Sequence, residues 1–180
     1  MWRAVWAPDG NGYSLCYATK EPSFLRLYRS TDPTRWEMLA DKILLGHGDP
    51  NETGLIFRKD ASSVCLVRVD GKTRTSMLGT SSPRYEKWEW KDLGVQIGGP
   101  ALIELPDQRL VVGVRLAGPD RTSLCWLDVA QARLEEFLKL PSAGDTGYPG
   151  LVLFDGKLWV SYYSSHEGKA KIYLAEVAID

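Results

Sequence analysis

The chain has 180 residues, with 22 Lys and Arg against 23 Asp and Glu, for a net charge of −1. That length suits one domain with a substantial core. The mixed charge leaves no basic stripe for nucleic acid, and no apolar run reaches the ~18 residues of a membrane-spanning helix. No nucleic-acid or membrane partner is therefore expected.

The first repeat starts with the strand Ala4 to Trp6, a turn at Pro8-Asp9-Gly10, and a second strand, Tyr13 to Tyr17. Phe24 to Arg29 and Trp36 to Leu39 read as its third and fourth strands. Alternating, β-branched and aromatic residues fit a half-buried pleated surface. The pattern then recurs around Asp60, Asp107 and Asp155, each placed between an apolar strand and a second strand. The flanking strands are Leu55 to Phe57 with Val64 to Arg68, Ala101 to Leu105 with Leu110 to Arg115, and Leu151 to Phe154 with Leu158 to Tyr163. Third strands follow at Thr75 to Gly79, Thr122 to Leu127 and Lys171 to Val177. Fourth strands are expected at Trp88 to Asp92 and Leu134 to Leu138, although Val129 to Leu138 also has the composition of a helical turn. Asp155-Gly156 is a two-residue hairpin signal.

Four strands in ~45–50 residues, repeated, predict an all-β β-propeller of four-stranded antiparallel blades. The expected domain is 1–180, a single propeller or a fragment of one. Its blade repeats are about 1–47, 48–96, 97–141 and 142–180. Cys16, Cys65 and Cys125 lie inside apolar runs without metal or redox spacing, so they are expected to be buried small hydrophobes. No metal or cofactor is expected. Free thiols and the lack of a signal peptide favour a cytoplasmic location.

Strand polarity places several candidates on one face of the disc. Glu52 and Tyr148 precede first strands, and Tyr17, Arg68, Arg115 and Tyr163 end second strands. Arg121 precedes a third strand, and His166 occupies the equivalent loop of the fourth repeat. A carboxylate, tyrosines and arginines could thus surround one axial mouth. Taken singly, each also has a structural reading, as a solvated charge, an ion-pair partner, a packing aromatic or an exposed loop residue.

Ser30-Thr-Asp32-Pro-Thr-Arg-Trp36 resembles a worn Asp-box, a structural turn to which no chemistry is assigned. Together with Asn51-Glu52-Thr53, Leu-Val-Arg68, Asp120-Arg121-Thr-Ser-Leu and Gly147-Tyr148-Pro-Gly-Leu-Val, it makes the chain resemble the last four blades of a six-bladed sialidase propeller. The resemblance implies a glycoside hydrolase acting on sialic acid or another acidic sugar. Tyr148 would be its nucleophile, Glu52 the activating base, and Arg68 with Arg121 or Arg115 the carboxylate ligands. A tyrosine nucleophile is the sialidase exception among retaining glycosidases. The family's early blades, its Asp acid and its third arginine have no counterpart, so the chain alone is expected to have little or no sialidase activity. Two further readings are a non-catalytic glycan- or protein-binding propeller and, ranked last, an arabinanase-like glycosidase. The open blade ends are expected to be covered by another copy of the chain, as a homo-oligomer, or by further blades.

Overall fold

The computed structural model describes residues 2–18, 20–32, 34–71, 75–118 and 120–179. Among them are fifteen strands in four antiparallel sheets, divided between two compact units, 1–94 and 95–180.

The first unit holds the sheet β1 (Ala4–Trp6), β2 (Gly12–Tyr17), β3 (Leu25–Asp32) and β4 (Arg35–Ile43). Its second sheet is β5 (Asp49–Phe57), β6 (Ser63–Asp70), β7 (Met77–Ser81) and β8 (Glu89–Asp92). Alternation along β3 buries Leu25 and Leu27 completely while Arg26 and Tyr28 point the other way. Leu15, Leu27, Leu55, Cys65 and Val67 belong to one core. Each fully buried leucine there contributes about 1.5–3 kcal/mol. Tyr13, Phe57 and Tyr85 close this core with ring centroids 4.8–5.2 Å apart.

The second unit holds β9 (Ile97–Glu104), β10 (Leu110–Leu116), β11 (Arg121–Asp128) and β12 (Arg133–Lys139), paired in that order. A three-stranded sheet follows: β13 (Thr146–Phe154), β14 (Lys157–Ser164) and β15 (Lys171–Ala178). Its core includes Leu105, Val111, Leu124, Leu158, Val160, Tyr162 and Val177. The segment with helix-compatible composition is mostly strand β12. Leu134 pairs with Leu127, and Phe137 stacks on Trp126 at 4.5 Å, so packing outweighs local helix propensity.

The repeated aspartate has a common structural job in three sheets. Asp9, Asp60 and Asp107 each accept the backbone N–H two residues on, at 2.9–3.0 Å. The next residue in each case, Gly10, Ala61 or Gln108, adopts positive φ. These are Asx turns inside five-residue hairpin loops. Asp155 and Gly156 instead form a two-residue turn with φ of 50° and 72°, values suited to the twist of a tight hairpin. In the worn Asp-box, Asp32 accepts hydrogen bonds from the N–H and hydroxyl of Thr34, so it too holds a turn.

Three first strands begin earlier than their apolar runs suggest, because a bulge carries pairing past the interruption. Asn51-Glu52 in β5, Gly99-Pro100 in β9 and Tyr148-Pro149 in β13 each set two residues against one on the neighbouring strand. Such bulges re-aim side chains. Glu52 and Tyr148 therefore lie within strands, at bulges, rather than ahead of them.

Candidate functional site

In the first unit, Glu52 is 7% exposed, and its carboxylate lies 3.3 Å from Arg68 Nη1. Arg68 Nε also donates to Asp70 Oδ1 at 3.1 Å. Asn51 links this group to the strand start, donating to Asp70 Oδ2 and to the Asp49 carbonyl, while its own Oδ1 accepts the Glu52 N–H. Burial disfavours the charge on Arg68, but Asp70 and Glu52 more than offset it and raise its pKa. Tyr17, 36% exposed, borders a shallow cleft of about 290 Å³ together with Asp49, Pro50 and Asn51. A larger cleft of about 730 Å³ lies among Ser82, Arg84, Lys87 and Trp88, and none of the sequence-predicted residues lines it.

In the second unit, Tyr148 sits on the β13 bulge with φ of 47° and is 40% exposed. Its ring stacks on Tyr163, with centroids 5.9 Å apart and planes 18° apart. The Tyr163 hydroxyl donates to Asp145 Oδ1. Arg115 Nη1 donates to the Thr146 carbonyl at 3.3 Å and stands 3.9 Å from Asp145 Oδ1. Burial first, then the hydrogen bond and charge of Asp145, push the Tyr163 phenol up to about 12. Gly99 makes the close approach of Tyr148 possible. A Cβ there would lie 2.8 Å from the Tyr148 ring and 3.0 Å from its backbone nitrogen.

Arg121 points elsewhere in its sheet. It forms a bidentate pair with Glu136 on β12, with both N–O distances 2.8 Å. That hydrogen bond from Arg121, against partial burial and aided by Ser123, lowers the Glu136 pKa to about 2. Between the two arginines left open by the sequence, Arg115 adjoins the tyrosine pair and Arg121 is held by Glu136. His166 bonds Ser164 and packs against Tyr173.

Cys65 and Cys125 are buried, and burial pushes the Cys125 thiol up to about 12, as expected of packing residues. Among the described residues no group of three His, Cys, Asp or Glu could hold a metal ion. Sequence reasoning missed Asp145, Asp70 and Gly99. Only the Gly98-Gly99-Pro100 and Gly147-Tyr148-Pro149 likeness hinted at Gly99.

No protein-family model matches the sequence, and no curated protein matches it. Solved structures do match. A protein of unknown function from Dyadobacter fermentans has a TM-score of 0.87 at 20% identity, covering 99% of this chain and 53% of its own. An exo-β-1,3-galactanase from Phanerochaete chrysosporium, solved with galactose, has a TM-score of 0.73 at 13% identity, over 96% of this chain and 46% of its own. A GH43 protein from Bacillus licheniformis has 0.67 at 14%, over 97% and 39%. The fold is that of the β-propeller glycoside hydrolases.

This corrects the sialidase resemblance. The propeller neighbours are of the five-bladed GH43 kind rather than six-bladed sialidases, so the resemblance no longer supports the roles of nucleophile for Tyr148 and base for Glu52. Nor do these neighbours support an acidic sugar. The error has a physical origin. Asx turns and four-stranded blades are demands of propeller geometry, and the Glu, Arg, Arg, Tyr order rode on that shared frame. The chain spans about half the length of the Dyadobacter protein and less of the other two.

Proposed function

We propose that the chain is the sugar-contacting part of a propeller of the glycoside-hydrolase kind, and that Tyr148 and Tyr163 form the surface on which a neutral sugar ring lies. The observation that carries this reading is the stacked, partly exposed tyrosine pair flanked by polar groups. Aromatic faces offer apolar area to the C–H side of a sugar, and a phenol adds a polar handle. Asp145 and Arg115 supply an acceptor and a donor beside the rings. Their opposite charges leave the spot near neutrality, which favours an uncharged ligand. The matched propeller named as an exo-β-1,3-galactanase supports the ligand class.

A second reading, hydrolysis, rests on Glu52 as a buried carboxylate next to Arg68. Most glycosidases need two carboxylates flanking the scissile bond. The bulge that bears Glu52 in β5 bears Gly99-Pro100 in β9 and Tyr148-Pro149 in β13. These repeats supply one carboxylate at that position, so binding is the better-supported function.

Calorimetric titration with xylo-, arabino- and galacto-oligosaccharides is the direct test. At least one should bind saturably, and Tyr148→Ala should weaken it by about fivefold, as expected of an aromatic contact worth ~1 kcal/mol. Because Tyr148 is 40% exposed, the melting temperature should stay nearly unchanged. Absence of saturable binding, or equal affinity in the variant, would remove the assignment.

A further inference from the structure

The 730 Å³ cleft of the first unit forms at the loop 82–88, between β7 and β8, and its volume falls in the ~300–1,000 Å³ range of small-molecule sites. Its wall follows from the strand below. Gly79 has no side chain, so Trp90 lies flat on β7; a Cβ there would stand 2.3 Å from the indole. Trp88 stacks on Trp90, with centroids 5.5 Å apart and planes 21° apart, and lines the cleft. The Trp88 Nε1–H donates to the Tyr85 carbonyl at 3.0 Å, and the Tyr85 hydroxyl to the Ala61 carbonyl at 2.9 Å. Ser81 Oγ donates to the Lys87 carbonyl at 2.6 Å. These bonds hold the loop in one shape although Arg84 and Tyr85 both have positive φ, 82° and 51°. Non-glycine residues persist in that region only where the surroundings impose it, and such strain clusters at ligand clamps.

The side chains of Thr80, Ser82, Arg84, Glu86, Lys87 and Glu89 also line the cleft, and none of them forms a hydrogen bond or ion pair with another described residue. Elsewhere the exposed Arg26, Arg29, Arg109 and Arg133 are each paired with a carboxylate. The cleft thus keeps donors and acceptors together and unmatched. Its two positive and two negative side chains cancel, which favours a ligand without net charge. An indole face beside hydroxyls and charged groups matches a polyhydroxyl ring with an apolar C–H side. We propose that this cleft is a second carbohydrate site, for an uncharged oligosaccharide. A sugar ring lies against Trp88, while Arg84, Lys87 and the two glutamates bond its hydroxyls. The site uses no residue of the Tyr148–Tyr163 surface and does not depend on that reading.

Heteronuclear NMR of the tryptophan indole N–H groups, during titration with xylo-, arabino- and galactohexaose, tests the proposal. The Trp88 Nε1–H resonance, assigned with Trp88→Phe, should shift saturably with at least one of them. Ser82→Trp, which puts a large ring in the cleft, should raise the midpoint at least tenfold. Arg84→Ala should raise it about tenfold, as expected of a hydrogen bond to a charged group. Both positions are exposed, so circular dichroism of these variants should match the parent chain. Tyr148→Ala should leave the Trp88 midpoint unchanged, which separates this site from the tyrosine surface; either can fail while the other holds. The proposal is overturned by a Trp88 resonance that no hexaose shifts, or by a midpoint that Ser82→Trp or Arg84→Ala leaves in place. A midpoint that rises with Tyr148→Ala overturns it too, as does tighter binding of hexagalacturonate than of every neutral hexaose.

Discussion

Replacing Gly99 by alanine should both destabilise the second unit and displace Tyr148. Gly99 has φ of 56°, and a non-glycine residue in that conformation costs about 1–2 kcal/mol. The new Cβ would also lie 2.8 Å from Tyr148 Cδ1, 3.0 Å from its nitrogen and 3.1 Å from its Cα. Two of those three atoms are backbone held in the β13 bulge, so they cannot swing aside as a flexible side chain would. Overpacking of this kind adds about 1–3 kcal/mol. The total, roughly 2–5 kcal/mol, corresponds to a fall of about 4–20 °C in melting temperature for a chain of this size. Gly10→Ala separates the two contributions: Gly10 also has positive φ, 81°, but nothing lies within 4 Å of its would-be Cβ. It should show only the conformational cost. The assay is thermal denaturation of both variants by circular dichroism, followed by oligosaccharide titration below the transition. Gly99→Ala melting together with Gly10→Ala, or binding sugar as the parent does, would refute the argument that Gly99 seats Tyr148.

Two further outcomes follow from titrating groups. Glu136 has a folded pKa lowered to about 2 by Arg121, so its stabilisation is present above the unfolded value near 4.5 and lost as pH falls through about 2. The urea-midpoint gap between the parent and Glu136→Gln, on the order of 1 kcal/mol for a partly exposed pair, should therefore shrink between pH 5 and 2; a constant gap counts against it. In ultraviolet titration, Tyr163 should resist ionisation until about pH 12, and Asp145→Asn should bring it down towards ordinary tyrosines. An unchanged titration in that variant would mean that Asp145 does not set it.

The all-β class and the repeat register were legible in the sequence because they depend on local physics. Alternation along Leu25-Arg-Leu-Tyr28 and an aspartate able to bond the N–H two residues on leave their mark in consecutive residues. Pairings across strands leave no such mark. Nothing in Arg121 announces that Glu136, fifteen residues later, would hold it, while Arg115 would sit by Asp145 thirty residues away. The bulges at Glu52 and Tyr148 are equally silent, since a bulge arises from how two strands match in length and register. Residue order alone could suggest a carboxylate, arginines and tyrosines on propeller blades. Which of them meet is decided by strand pairing and packing: Tyr148 on Tyr163, Glu52 on Arg68, Arg121 on Glu136.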